Sequence, residues 1–182
     1  MMLAAALVTL LTAPSPGAET QEPPPAEKKP AITIQSATAD RVTVHYLKIP
    51  WGPNTFAAMQ KGGDSFYARR TWPFARLELR APVTLEGKTI PAGNYALVLH
   101  PNTPDDRGMS LEVLRLKLPE FLEEGNVMTP TPSGESLWKG PVRFDLAAGT
   151  TPHLTINLAL GKGGVSLIVQ YGDYQLVKDL AY

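Results

Sequence analysis

The chain has 182 residues, no cysteine, and a balance of 17 Lys plus Arg against 17 Asp plus Glu. This balance provides no basic excess to attract a phosphate backbone, which argues against nucleic acid as a partner. The lack of cysteine excludes disulfides, thiolate nucleophiles and Cys-ligated zinc. The 15 Gly and 18 Pro fall between β-rich runs, a pattern typical of an all-β fold with many turns.

The N-terminal segment is predicted to be an export signal followed by a tether. Residues 3–11 are an uncharged apolar run of signal-peptide length, too short to span a bilayer, and residues 1–18 are assigned to the signal. Residues 19–30 are polar and Pro-rich, so they cannot bury enough apolar area to fold and are predicted to be disordered. We therefore expect an exported protein, periplasmic or extracellular, with no membrane span after signal removal.

One feature of the signal is atypical, because no Lys or Arg precedes its apolar run. The alternative is that this run is a buried N-terminal strand or helix of the folded domain.

Residues 31–182 are predicted to form one all-β domain, an antiparallel β-sandwich of jelly-roll-like or immunoglobulin-like type. Apolar and polar side chains alternate with period two, as in a half-buried strand. In the second such run Val42, Val44 and Tyr46 face the core. The pattern predicts nine to ten short strands. The alternating runs lie at 32–35, 41–47, 74–80, 95–100, 111–118, 142–146, 153–160, 165–170 and 174–178.

One or two short helical turns interrupt the strands. The first is predicted at residues 55–61, capped by Asn54 and ended by two glycines. A second is predicted at 119–124, where a proline opens the turn. Residues 127–141 are rich in Pro, Gly and Thr, so they are expected to form turns.

Residues 51–76 combine aromatic rings with arginine and form the best candidate for a contact surface. Flat rings stack on sugar faces or apolar ligands, and a pair of arginines can hold a carboxylate or phosphate. The alternative is that the segment caps an open end or edge of the sandwich, with its aromatic side chains buried as a satellite core. The candidate ligand-binding residues are Trp51, Tyr67, Arg69, Arg70 and Trp72.

Two tight turns organise residues 83–101. Gly87 and Gly93 supply the backbone angles that tight turns need, and Pro91 presets another corner. The strand that follows places Tyr95, Leu97 and Leu99 on its apolar face.

This stretch carries a resemblance to a known family. The motif P-A-G-x-Y-x-L at 91–97, within G-K-T-I-P-A-G-N-Y-A-L-V-L-H-P at 87–101, resembles a bacterial family of exported β-sandwich proteins that is catalogued as a domain of unknown function. V-T-V-H-Y at 42–46 and L-I-V-Q-Y-G-D at 167–173 match other elements of that family. Its W-R-T-G-A-N motif is kept only as Arg70-Thr71. The resemblance implies an exported β-sandwich and supplies no reaction.

Other residues with reactive side chains show no recognisable motif. His45, His100 and His153 belong to no metal-binding pattern, so no metal site and no cofactor are predicted from them unless strands bring the three together. The acid pairs at 105–106 and 123–124 lack the alternating oxygen ligands of a calcium loop.

The sequence therefore favours a non-catalytic exported module that binds a carbohydrate or a small anionic ligand through the aromatic and arginine segment. Two alternatives stay open. One is a hydrolase acting on a carbohydrate or cell-envelope substrate through carboxylates that one sequence does not identify. The other is a metal-binding protein that uses the histidines.

Overall fold

The computed structural model describes residues 32–63, 65–101, 109–117, 122, 124 and 130–182. The predicted signal, the tether and most of the second helical turn lie outside these residues. The described part contains two helices and twelve strands. They are β1 (Ile34–Ala39), β2 (Val42–Leu47), α1 (Pro53–Lys61), α2 (Phe66–Arg69), β3 (Trp72–Leu79), β4 (Val83–Leu85), β5 (Lys88–Ile90), β6 (Gly93–His100), β7 (Ser110–Arg115), β8 (Ser136–Pro141), β9 (Asp145–Leu146), β10 (Thr155–Gly161), β11 (Gly164–Tyr171) and β12 (Tyr174–Ala181).

The strands form two antiparallel sheets that face each other. The first sheet has the order β1-β2-β3-β6-β7-β8, and the second has the order β10-β11-β12-β4-β5, with β9 also paired to β12. Each pair of neighbouring strands in the described residues is antiparallel. The prediction of an all-β sandwich is confirmed.

The core lies between the sheets and consists of the side chains that the period-two pattern predicts to face inward. The first sheet contributes Val44, Leu77 and Leu97, and the second contributes Ile156, Leu167 and Val169 to the same buried cluster. On the opposite face of the first sheet, Ala96, Val98 and Leu114 form a smaller buried cluster.

The prediction that residues 127–141 form only turns is wrong for their last part, because Ser136–Pro141 is strand β8. Leu137 and Trp138 are buried there. Gly140 has no side chain, which lets the Trp138 ring lie against its backbone; a Cβ at Gly140 would collide with the indole. The strand is at the edge of the sheet, where a terminal proline such as Pro141 is tolerated.

The predicted helix at 55–61 is present and begins two residues earlier. α1 starts at Pro53, a position that proline favours because its missing amide hydrogen has no partner in a first helical turn. Gly52 is the N-cap residue and no side chain caps the helix, so the prediction of Asn54 as the cap is wrong. The helix ends at Gly62, as predicted.

The P-A-G-x-Y turn has a specific hydrogen bond at its centre. The Tyr95 hydroxyl donates to the backbone carbonyl of Pro91 at 2.6 Å, and the Tyr95 side chain is fully buried. Gly93 has a φ of 153°, a conformation that favours glycine. The Tyr95 side chain thus connects the strand that follows the turn to Pro91, the residue at the start of the turn.

We predict that Tyr95→Phe lowers the free energy of unfolding by about 1–2 kcal/mol, because it leaves the Pro91 carbonyl without its partner. Urea unfolding followed by circular dichroism measures the change. Tyr46→Phe is the matched control: Tyr46 is also a core tyrosine, but its hydroxyl has no partner among the described residues. Equal losses in the two variants would contradict the assignment.

Candidate functional site

Residues 49–72 cross from the first sheet to the second and cover one end of the sandwich interior. α1 places Phe56 and Met59 in the main core cluster. α2 follows, and the chain returns to the first sheet at Trp72. This segment contains every residue that the sequence analysis selected as a candidate contact.

An aromatic cluster fixes the first half of the segment against the second sheet. The Phe56 ring lies at its centre, with centroid distances of 5.1 Å to Phe144, 5.7 Å to Tyr171 and 5.1 Å to Tyr174. Trp51 joins it, with its ring perpendicular to Tyr171 at 4.7 Å. Edge-to-face contacts of this kind stabilise a packing geometry beyond simple burial.

Backbone hydrogen bonds reinforce the same attachment. The Trp51 amide donates to the Pro152 carbonyl at 2.9 Å, and the Leu154 amide donates to the Ile49 carbonyl at 2.7 Å. The Tyr171 hydroxyl donates to the Pro50 carbonyl at 2.8 Å. Burial raises the pKa of this hydroxyl, so it remains a donor at neutral pH. α1 is therefore anchored through the residues that precede it.

A pocket of about 410 Å³ opens beside α1, between the two sheets. α1 forms one wall of the pocket, and residues of both sheets line its inner surface. Residues of α2 and of the start of β3 line another side. Among the described residues, the lining contains no Asp, Glu, His, Lys or Arg. The described residues that line it are Ile32, Ile49, Pro50, Gly52, Thr55, Phe56, Met59, Tyr67, Trp72, Phe74, Leu99, Phe144, Leu154, Val169 and Tyr171.

The few polar side chains of the lining are mostly engaged within the protein. Trp72 Nε1 donates to the Tyr67 carbonyl at 3.2 Å, and the Tyr171 hydroxyl is bonded to Pro50. Only the Thr55 and Tyr67 hydroxyls have no hydrogen-bond partner among the described residues. The pocket therefore offers an apolar surface with few groups that can recognise a polar ligand.

Aromatic rings and a cation border one side of this pocket. The rings of Tyr67 and Trp72 are nearly parallel at 6.2 Å. The Arg70 guanidinium carbon lies 5.6 Å from the Trp72 ring centroid and 6.0 Å from that of Phe66. Phe66 and Tyr67 are 56% and 40% exposed, so this border faces solvent.

The structure brings three of the five predicted contact residues together. Tyr67 and Trp72 line the pocket and Arg70 lies over Trp72. Arg69 is exposed at the end of α2. Trp51 lies apart from them, in the aromatic cluster against the second sheet.

Sequence reasoning missed most of the pocket lining. The missed residues have apolar side chains on α1, on a strand or next to one, a signal that indicates the core and does not distinguish a filled interior from a pocket wall. They include Phe56, Met59, Phe74, Leu99, Leu154 and Val169.

The three histidines lie apart from one another, and each has different neighbours. A ring nitrogen of His45 lies 2.7 Å from the Ser36 hydroxyl, and His100 lies 2.7 Å from the Glu112 carboxylate. His153 lies just before β10 and forms an isolated antiparallel bridge with Pro50. Burial lowers the pKa of His45 and of His153. In the part of the chain that the structure covers, no three His, Asp or Glu side chains are grouped to hold a metal ion.

Comparisons of the chain with protein-family models, curated proteins and solved structures find no match. The family resemblance at residues 91–97 accordingly stays a prediction. Within the described residues, no helix has the length and apolar character needed to cross a membrane.

We predict that Gly172→Ala disrupts the anchor of the segment. Gly172 has a φ of 62°, and a Cβ there would overlap the Trp51 indole. Strain and overpacking together should lower the free energy of unfolding by about 2–4 kcal/mol, measured by urea unfolding.

Gly149→Ala provides the control for Gly172→Ala, because nothing lies within 4 Å of a Cβ at Gly149 and its φ is not positive. Its stability should change by less than about 0.5 kcal/mol. A Gly172→Ala protein as stable as the Gly149→Ala protein would show that Trp51 does not fix the segment.

Proposed function

We propose that this chain is an exported, non-catalytic binding module whose ligand inserts an apolar body into the pocket beside α1. The observation that carries the proposal is the pocket itself: about 410 Å³, with a lining that is almost wholly apolar. That volume lies within the roughly 300–1,000 Å³ typical of small-molecule sites in proteins.

The lining favours an apolar ligand over a carbohydrate. A sugar carries many hydroxyl groups, and each one buried without a hydrogen-bond partner costs free energy. Thr55 and Tyr67 are too few to satisfy them. An apolar chain or ring makes no such demand and gains from leaving water.

Arg70 beside the pocket suggests that the ligand also carries a negative or polar end. The Arg70 guanidinium lies over the ring of Trp72, which lines the pocket, so a positively charged side chain lies next to the apolar opening. A carboxylate or sulfonate at that point would meet a favourable potential while the rest of the molecule occupies the pocket. This retains the small anionic ligand expected from the sequence and adds an apolar body to it.

The lining gives no support to the hydrolase alternative. General acid-base catalysis needs a titratable group within hydrogen-bond reach of the reacting atoms. Within the part of the lining that the structure describes, the titratable side chains are two tyrosines, Tyr67 and Tyr171, and the second is hydrogen-bonded to Pro50. Binding without chemistry is the function that this lining suits best.

The proposal of export is supported by the sequence of residues 1–30. An apolar run followed by a Pro-rich polar tether suits a protein that is carried across a membrane and cleaved from its signal ahead of the folded domain.

Ligand binding is tested with dodecanoate, dodecanol and maltose, each titrated into the protein by calorimetry. We expect dodecanoate to bind, dodecanol to bind more weakly because it lacks the charge, and maltose to show no heat. Thr55→Phe should weaken dodecanoate binding at least about tenfold, which corresponds to about 1.4 kcal/mol, because the new ring fills the pocket.

Ala57→Phe is the matched control, since Ala57 is exposed on the same helix and does not line the pocket. It should leave dodecanoate affinity unchanged. The proposal fails if neither dodecanoate nor dodecanol binds, or if both variants weaken binding equally.

Export is tested by expressing the full chain in a bacterial host and separating periplasm from cytoplasm. The chain should reach the periplasm in a shortened form. Leu7→Arg places a charge in the apolar run and should keep the uncleaved chain inside the cell. Uncleaved, cytoplasmic wild-type protein would contradict the proposed export.

A further inference from the structure

Two neighbouring aromatic side chains of α2 are exposed beside the pocket. Phe66 is 56% exposed and Tyr67 is 40% exposed, and their rings meet at 5.6 Å in an edge-to-face contact. The Tyr67 ring also stacks on Trp72, and these two residues line the pocket. A continuous series of three rings therefore leads from solvent to the pocket lining.

This exposure differs from that of a single surface leucine. Isolated apolar side chains are ordinary on a protein surface, whereas a contiguous apolar patch marks a site of interaction. Among the described residues, Phe66 is the most exposed aromatic side chain, and it adjoins Tyr67 and so continues into an apolar pocket. The patch and the pocket thus form one apolar surface.

The same stretch of chain is cationic. Lys61 is exposed in the last turn of α1, and Arg69 is exposed in the last turn of α2. Arg70 follows and lies over the first of the two exposed rings. Residues 53–72 contain these three cations and one acid, Asp64, in a chain whose formal net charge is zero. This stretch therefore complements a negatively charged partner.

The combination of exposed rings and cations suits the surface of an anionic bilayer. Aromatic side chains favour the boundary between hydrocarbon and water, where a tyrosine buries its ring and keeps its hydroxyl hydrated. Lys and Arg side chains are attracted to anionic headgroups. A protein partner would need a groove shaped to fit both rings, whereas a bilayer adapts to them.

We propose that Lys61, Phe66, Tyr67, Arg69 and Arg70, which we call the α2 corner, dock on an anionic phospholipid bilayer. The inference rests on the proposed function, because an amphiphile with an apolar body resides in a bilayer, which then supplies it to the pocket. The two rings enter the interface between headgroups and acyl chains, and the cations contact the headgroups. A ligand then passes from lipid to pocket without crossing bulk water.

Vesicle sedimentation tests the docking, with the protein as isolated. It should bind vesicles of equal parts phosphatidylglycerol and phosphatidylcholine, and bind vesicles of phosphatidylcholine alone about tenfold more weakly. High salt should weaken the first interaction. Phe66→Ser should lower binding to the anionic vesicles about tenfold because it removes the larger part of the exposed apolar surface. Lys61→Glu should do the same at low salt.

Leu160→Ser and Lys162→Glu are the matched controls. Leu160 is 66% exposed and Lys162 is exposed, so these variants make the same chemical changes elsewhere. Leu160 pairs with Val165, about 20 Å along β11 from Tyr171 and the pocket. Both controls should bind the anionic vesicles like the wild type. The proposal is overturned if those vesicles do not bind the protein, or if the α2-corner variants bind them no less well than the controls.

Dodecanoate titration separates this proposal from the one on which it rests. Phe66 lies outside the described lining, so Phe66→Ser should keep its affinity for dodecanoate while it loses vesicle binding. Thr55→Phe should show the opposite pattern. A wild type that binds vesicles and not dodecanoate contradicts the pocket ligand alone, and one that binds dodecanoate and not vesicles contradicts the docking alone.

Site-specific labelling identifies the face that contacts lipid. The chain has no cysteine, so Ser65→Cys and Lys162→Cys each introduce a single thiol for an environment-sensitive dye. The dye at position 65 should show a blue shift in its emission on anionic vesicles, and the dye at position 162 should not. A shift at position 162 as large as that at position 65, or no shift at position 65, would show that the α2 corner does not meet the bilayer.

Discussion

The attachment of Ile49, Pro50 and Trp51 to the second sheet is the constraint on which the rest of the site depends. Two backbone hydrogen bonds and one tyrosine hydroxyl hold these residues, and the Trp51 ring lies on the Gly172 turn where no Cβ intervenes. α1 begins at Pro53, directly after this anchor, so the anchor sets where the helix starts over the interior.

The pocket exists because residues 49–72 fill only part of the space between the two sheets. Phe56 and Met59 fill part of the space between the sheets, and Tyr67 and Trp72 approach from the other side. Between them about 410 Å³ stays open, bounded by Leu99 of the first sheet and by Leu154 and Val169 of the second. The same segment contacts the residues just before β10, through the Ile49 carbonyl and the bridge of Pro50 with His153. One crossing segment thus borders the pocket and joins the two sheets.

The parts of the structure that the sequence could predict are those set by local backbone rules. The glycines and Pro91 of residues 83–101 determine turns whatever surrounds them, and the period-two pattern places Leu97 and Leu99 inward. Strand β8 could not be predicted from these local rules. Its Gly140 and Pro141 have the composition of a turn, and the chain stays extended because it pairs with β7 and because the Trp138 ring packs against Gly140.

The site was harder to predict because it depends on contacts between distant residues. Trp51 and Trp72 look equivalent in the sequence, yet the first packs on the Gly172 turn and the second lines the pocket. Val169 has the same alternating environment as Leu167, and the pattern gives no sign that one borders open space. Whether an apolar side chain fills a core or walls a cavity depends on volumes contributed by several elements at once.

The most direct measurement of the central claim is the set of nuclear Overhauser effects between bound dodecanoate and the protein. The account predicts contacts from the alkyl protons to the methyl groups of Met59, Leu154 and Val169, with the carboxylate end near Arg70. Contacts confined to the outer faces of the sheets, or none to these three methyl groups, would contradict it.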